Sequence, residues 1–114
     1  MDEEIVWTGS FSGQFLTLAN GGQNTKQPGA TKTLMECLNN GLTTLSITFD
    51  RESSVWYQFF TPGTSGWHKL GEGNTNGRVL TLDLSSFVNT ISSENGFIFQ
   101  GGDYGNIIKI TAHK

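Results

Sequence analysis

Two of the three tryptophans lie in one short segment, residues 53–70, together with a glutamine. Aromatic and β-branched residues predominate in residues 55–61, which predicts a β-strand. We predict that this strand stops at Pro62, because proline fixes φ and has no N–H to donate to a sheet, and that a second strand starts at Trp67. Aromatic rings can stack on the C–H face of a pyranose, and an amide can hydrogen-bond to its hydroxyls. The segment therefore has the residue types of a sugar-binding surface.

Side chains alternate between the two faces of a strand. Residues 55, 57, 59 and 61 therefore share one face, while Trp56, Gln58 and Phe60 share the other. Both faces carry large apolar groups, so alternation alone leaves open which one is buried. An amide that is buried without a partner costs about 1–3 kcal/mol, which favours exposure of the glutamine face. We assign Val55, Tyr57 and Phe59 to the core. We expect Trp56 and Gln58 to be exposed, with Trp67 nearby.

A second glutamine lies on the strand predicted for residues 96–101. Phe97 and Phe99 share one face of this strand, and Ile98 and Gln100 share the other. A single glutamine on a strand face is usually just solvated. Two such amides beside aromatic rings favour a common binding face.

The composition predicts an all-β domain. Charged residues make up 15% of the 114, glycine occurs 15 times and proline only twice. Eight or so short segments with alternating apolar side chains, of which residues 42–50 are the clearest, are separated by turns rich in glycine and asparagine. A chain of this length forms one domain. We predict a single β-sandwich over residues 1–114, a jelly roll of two antiparallel sheets.

Two segments are predicted to be loops because of their turn residues. The segment from Asn20 to Gly29 has no hydrophobic periodicity, and a loop of this length in a small domain is often functional. The glycine-rich segment 71–77 is predicted to be a second, shorter loop.

Two helical turns are predicted between the strands. Thr33 and Glu36 have the spacing of a capping box, which predicts a helical turn over residues 31–38. A second turn is expected over residues 83–91, with Ser85 or Ser86 as its cap.

Charge and potential ligand residues disfavour several kinds of partner. The net charge is −3 and the sequence has no basic run, so nucleic acid is not an expected partner. Cys37 is the single cysteine, and we expect a small buried hydrophobe there. With one cysteine and two well-separated histidines, no transition-metal site and no cofactor are expected. A structural calcium ion stays open, without assigned ligands.

The chain has no apolar run of membrane-spanning length and no basic segment of a signal peptide at Met1. These features fit either a cytoplasmic chain or a module excised from a longer protein with its signal upstream. We favour the second, a secreted, extracellular and monomeric module.

The carboxylates do not predict an enzyme. Glycoside hydrolysis needs two carboxylates that face each other across a cleft, whereas Glu52, Glu72, Asp83 and the other candidates mostly fall in predicted turns. Nucleophile motifs and phosphate-binding fingerprints do not occur. We therefore expect a non-catalytic protein.

Several short motifs, taken in order, resemble the β-jelly-roll carbohydrate-binding modules of bacterial, cellulosomal enzymes that degrade plant cell walls. They are Val6-Trp7-Thr8-Gly9, Trp56-Tyr57-Gln58 with Trp67, Leu82-x-Leu84, residues 96–101, and Ile108-Lys109-Ile110.

The resemblance implies a non-catalytic module that binds β-glucans through aromatic residues on one sheet face. By position, the ligand-facing residues would be Trp7, Trp56, Gln58, Trp67 and Gln100. The residue type by itself favours a core position for Trp7, because an aromatic residue on an edge strand often closes the end of a sandwich.

These features are compatible with two functions. The first is binding of plant cell wall polysaccharide (cellulose, mixed-linkage glucan, xyloglucan or glucomannan), which targets a covalently linked glycoside hydrolase. The second is a structural or protein-interaction sandwich, such as an adhesin or scaffold module, whose aromatic face is a protein interface. Exposed Leu, Ile or Met around the tryptophans would favour the second function.

Overall fold

The computed structural model describes residues 2–18, 26–94, 96–101 and 106–114, without the side chains of Ser53, Ser93 and Glu94. Most of the predicted loop from Asn20 to Gly29 lies outside these residues. The described strands are β1 (Glu3–Phe11), β2 (Phe15–Leu18), β3 (Thr44–Ser53), β4 (Trp56–Gly63), β5 (Gly66–Asn74), β6 (Gly77–Asp83), β7 (Phe97–Gln100) and β8 (Ile107–His113). The helices are α1 (Leu34–Asn39), a 3₁₀ turn (Ser85–Phe87) and α2 (Val88–Glu94).

The strands form two antiparallel sheets. Sheet I has the order β1-β8-β3-β6, and sheet II has the order β2-β7-β4-β5. Strand β4 pairs with β5, β3 with β6, β2 with β7 and β1 with β8, so the pairs are nested around the β4–β5 hairpin. A long hairpin wound over itself in this way is a jelly roll, which confirms the predicted sandwich.

The core lies between the inward faces of the sheets. Leu45, Ile47 and Phe49 share one face of β3 and are buried. Phe97 and Phe99, which are predicted to share a face of β7, are buried as well. The same hydrophobic cluster includes four residues of α1 and one of α2, which are Leu34, Met35, Cys37, Leu38 and Ile91. The helices thus add apolar side chains to the core.

The N-terminus of α1 confirms the predicted capping box. The Thr33 hydroxyl accepts the Glu36 N–H at 3.1 Å, and the Glu36 carboxylate accepts the Thr33 N–H at 3.2 Å. The prediction that Ser85 or Ser86 caps the second helical segment is wrong, because the N-cap position of the 3₁₀ turn is Leu84. Asp83 Oδ1 instead accepts the N–H of Ser85 at 2.9 Å.

The sequence-based boundaries around the β4–β5 hairpin are also wrong. Strand β4 continues through Pro62 to Gly63, because Pro62 lies opposite Trp67 near the hairpin turn, beyond the last residue of β4 that pairs with β7. A proline there interrupts no pairing with β7.

The predicted loop at residues 71–77 is mostly strand, since β5 runs to Asn74. Its glycines leave room for rings of β4. A Cβ atom at Gly71 would lie 2.6 Å from the Phe59 ring, and one at Gly73 would lie 2.9 Å from the Tyr57 hydroxyl. In the sequence these glycines have the character of turn residues, whereas in the structure they allow close approach within a sheet.

Candidate functional site

The outward face of sheet II combines exposed aromatic side chains with amides. Alternation and strand register place twelve side chains on this face, which we call the aromatic face. They are Phe15 and Thr17 of β2, Ile98 and Gln100 of β7, Trp56, Gln58, Phe60 and Pro62 of β4, and Trp67, Lys69, Glu72 and Asn74 of β5.

Two glutamines on neighbouring strands form the amide pair of this face. Gln58 and Gln100 are direct partners in the β4–β7 ladder, and Gln58 Nε2 donates to Gln100 Oε1 at 2.6 Å. Both side chains are partly buried. A primary amide has two N–H donors and an oxygen with two lone pairs, so this single bond leaves hydrogen-bonding capacity on both residues. The pair can therefore bind hydroxyl groups from a ligand.

A cluster of three aromatic rings lies beside the amide pair. The Trp67 ring is 4.9 Å from the Phe15 ring, at an interplanar angle of 75°, and 5.5 Å from the Phe60 ring. Because Phe15 is on β2 and Trp67 on β5, at opposite edges of the sheet, the two side chains reach towards each other across it. We call Phe15, Phe60 and Trp67 the Trp67 cluster.

The Trp67 cluster has a structural role as well as an exposed surface. Ile98, whose partners in register are Thr17 and Phe60, points outward and yet is only 3% exposed. Side chains on the face must cover it, and the contact between the Phe15 and Trp67 rings joins the two edge strands on either side of its strand. Trp67 itself is 48% exposed.

Trp56 lies at the other end of β4. It is 44% exposed, and its partner in register on β5 is Asn74, which is also exposed. The structure thus brings Trp56, Gln58, Trp67 and Gln100 onto one face, with Tyr57 and Phe59 turned inward as predicted.

Trp7 does not join them. It lies on β1 in sheet I, opposite Ile110, and is 8% exposed within the hydrophobic cluster. Its ring packs over Gly9, where a Cβ atom would lie 2.9 Å from it. The structure agrees with the residue-based expectation that Trp7 belongs to the core, and it separates Trp7 from the four other predicted ligand residues.

Sequence reasoning missed Phe15, and by alternation it places Phe60 on the face of Trp56 and Gln58 without naming Phe60 as a ligand residue. Phe15 is 39% exposed, whereas Leu16 and Leu18 of the same strand are buried. Alternation could have placed Phe15 outside once Leu16 was assigned to the core. The contact between Phe15 and Trp67 depends on the strand order in sheet II.

The two charged groups of the aromatic face form an ion pair on the edge strand β5. Lys69 Nζ contacts Glu72 Oε1, and both side chains are about half exposed. Exposed pairs of this kind contribute little to stability. Their opposite charges leave this part of the face close to neutral.

The described residues contain no group of three or more His, Cys, Asp or Glu side chains placed to hold a metal ion. Within the same residues, no helix has the length and apolar character needed to cross a membrane.

Comparisons with known proteins show similarity in structure. No family model and no curated protein matches the sequence. A solved structure of SGBP-B from the mixed-linkage glucan utilization locus of Bacteroides ovatus, in complex with a mixed-linkage heptasaccharide, is similar with a TM-score of 0.57 and 22% identity. The similarity covers 96% of this chain and 30% of that one, so this chain spans less than a third of the neighbour's length. At this identity, the comparison shows that the two proteins share a fold.

Proposed function

We propose that this protein is a non-catalytic carbohydrate-binding module that binds plant cell wall polysaccharide of the β-glucan type on the aromatic face. The observation that carries the proposal is the arrangement on sheet II, where Trp56 and Trp67 are both about half exposed beside the Gln58–Gln100 pair. Indole rings offer flat apolar surfaces to the C–H faces of sugar rings. The amides offer donors and acceptors to the hydroxyls.

The structural neighbour supports the same ligand class. SGBP-B shares the fold over nearly the whole of this chain, and its structure holds a mixed-linkage heptasaccharide. Candidate ligands are cellulose, mixed-linkage glucan, xyloglucan and glucomannan. Each is a neutral or nearly neutral chain, which fits a face whose two charged side chains pair with each other.

The aromatic face favours sugar over a protein partner. A protein interface of this size would add exposed aliphatic side chains around its aromatic anchors. Among the described residues, the exposed large aliphatic side chains are Val79 and Ile108, which belong to strands of sheet I. Ile98, the aliphatic residue of the aromatic face, is buried.

The role that follows is targeting. A module that holds a covalently linked glycoside hydrolase on an insoluble polysaccharide raises the local concentration of its substrate. We propose a secreted, extracellular protein with no cofactor in this module. Single-module affinities in the micromolar to millimolar range, about −8 to −4 kcal/mol, suffice for this role.

Affinity gel electrophoresis tests the proposal. The wild-type protein is run in gels that contain hydroxyethyl cellulose, barley β-glucan, xyloglucan, xylan, glucomannan or a pectin. We expect retardation by at least one β-glucan and loss of that retardation in Trp56→Ala. Val79→Ala is the matched control, since it removes an exposed apolar side chain from sheet I. Unchanged migration of the wild-type protein in every gel would contradict glycan binding and favour a protein partner.

A further inference from the structure

The two exposed tryptophans of the aromatic face lie at opposite ends of one strand. In the β4–β5 ladder, Trp56 is opposite Asn74, and Trp67 is opposite Pro62. Because Trp56 and Pro62 are six residues apart along β4, the backbone positions of the tryptophans are separated by about 20 Å. A chain of several sugar residues can span this backbone separation, whereas one sugar ring is far shorter.

The side chains between these positions are suited to an extended sugar chain. Along β4 from Trp56, the outward side chains are Gln58 and then Phe60, and Gln58 is joined by Gln100 from β7. A chain that follows the strand would meet an indole, then the amide pair, then the Trp67 cluster. Stacking surfaces would lie at both ends and hydroxyl partners in the middle.

A chain that crosses the strands would meet a different series. The row through the amide pair runs from Phe15 on β2 through Gln100 and Gln58 to Glu72 on β5. This row offers a single aromatic ring and ends at a carboxylate that is paired with Lys69. Trp56 lies outside this row, so a crosswise chain would not contact it.

We propose that a neutral β-glucan chain of several sugar residues lies along β4, with one part stacked on Trp56 and another on the Trp67 cluster. The inference rests on the proposed function and deepens it, because it specifies the direction of the chain and the class of ligand. The ligand is the interior of an extended polysaccharide. Monosaccharides and disaccharides occupy one aromatic surface at a time and bind weakly.

Isothermal titration calorimetry with a series of mixed-linkage and β-1,4-linked gluco-oligosaccharides, from disaccharide to heptasaccharide, tests the proposal. Wild-type affinity should rise with length until the chain reaches both tryptophans, and then level off. Trp56→Ala should remove that rise, with about tenfold weaker binding of the longest oligosaccharides, which corresponds to about 1.4 kcal/mol. Its affinity for the shortest oligosaccharides that bind the Trp67 cluster should stay within about twofold of wild type.

Further variants separate stacking from folding. Trp56→Phe retains an aromatic ring and should recover most of the length dependence. Phe15 belongs to the Trp67 cluster and would contact the ligand in either direction. The crosswise direction is therefore tested by Trp56→Ala, which in that case would leave the affinity unchanged at every length. Thermal unfolding of each variant identifies any that lose the fold, and in that case Trp56→Phe and Trp56→Leu carry the comparison.

The outcomes distinguish this inference from the proposed function. If the wild-type protein binds glucans but Trp56→Ala weakens binding equally at every length, the chain does not lie along β4, while glucan binding on the aromatic face stands. If Trp56→Ala changes the affinity at no length, the direction along β4 is wrong and Trp56 is not part of the site, while glucan binding itself stands. If the wild-type protein binds no oligosaccharide and no polysaccharide, the proposed function itself is wrong, and the inference is wrong with it.

Discussion

The hydrogen bond between Gln58 and Gln100 orients two amides that are 42 residues apart in the chain. Each amide limits the rotation of the other, so a ligand meets donors and acceptors that are already placed. Such preorganisation reduces the conformational entropy that binding would otherwise cost. At the scale of single residues, the pair is therefore expected to contribute to affinity more than two independent glutamines would.

We expect Gln58→Ala and Gln100→Ala each to weaken glucan binding by about tenfold, because each removes one amide and releases the other. The double variant should lose less than the sum of the two losses in free energy, since the residues act as a unit. Calorimetry with a long gluco-oligosaccharide measures all three. Gln14→Ala, at an exposed position before β2, is the control, and additive losses would contradict a coupled pair.

Cys37 shows a second effect at the residue scale. The thiol lies in the hydrophobic cluster, 1% exposed. Burial raises the pKa of Cys37 to about 11, with smaller contributions from the negative charges of Glu4 and Glu36. The thiol is therefore neutral at physiological pH and poorly suited to act as a nucleophile.

The raised pKa of Cys37 predicts a loss of stability at alkaline pH. Below the ordinary thiol value of 9.0, the thiol is protonated in both the folded and unfolded states. Between that value and about 11 only the unfolded state ionises, so the free energy of unfolding decreases as pH rises. Thermal unfolding measured over this range should show a steeper decline for wild type than for Cys37→Ala. Parallel declines would show that Cys37 does not titrate in this way.

Strand β5 shows how an element depends on its neighbour. Gly71 lies opposite Phe59 of β4, and the Phe59 ring occupies the space where a side chain at residue 71 would begin. Phe59 is 6% exposed and contacts the rings of Tyr57, Phe87 and Phe97. Strand β5 can therefore lie over Phe59, because residue 71 is a glycine and has no side chain to overlap the ring.

Gly71→Ala should destabilise the protein by about 1–3 kcal/mol, because the added methyl group overlaps the Phe59 ring. In a Phe59→Leu background the same substitution should cost less, since the ring is gone. Chemical denaturation of the two single variants and the double variant gives the coupling energy. An equal cost in both backgrounds would attribute the effect to the backbone of β5 alone.

At the scale of the whole molecule, the nested strand pairs bring distant segments together, and Asp50 joins two of them. Its Oδ1 accepts the Asn106 N–H at 2.9 Å, and its backbone N–H donates to the Asn106 carbonyl at 2.8 Å. The Arg51 side chain and the Asn106 N–H lower the pKa of Asp50 below its ordinary value of 3.8. The end of β3 is thereby fixed to the residue that precedes β8.

Acid should weaken this connection. A carboxylate with a lowered folded pKa stabilises the fold above its unfolded pKa, and that stability is lost as the pH falls through the folded pKa. We expect the melting temperature to fall below about pH 4, and to fall less steeply in Asp50→Asn, which keeps an acceptor oxygen without the charge. Asp50→Ala, which lacks the acceptor as well, should melt lower at every pH. Identical pH profiles for wild type and Asp50→Asn would exclude a role for the Asp50 charge.

The sequence by itself determined the class of fold and much of the inner and outer faces of the strands. Alternation in β4 identified Tyr57 and Phe59 as core residues and placed Phe97 and Phe99 on one face of β7, because one buried face requires an apolar residue at every second position. The spacing of Thr33 and Glu36 predicted a cap that the structure contains, because both partners lie within one helical turn. These features depend on interactions between residues that are close in the chain.

The tertiary structure decided which strands became neighbours. The strand order of sheet II brings Gln58 beside Gln100 and Phe15 against Trp67. Trp7 does not lie on the aromatic face because its strand, β1, belongs to sheet I. The prediction that Gly71 lies in a loop is wrong because Gly71 makes room for the Phe59 ring of the neighbouring strand, and that neighbour is not visible in the local sequence. Pairing between distant strands is set by the packing of the whole core, and a single sequence read in short segments carries little information about it.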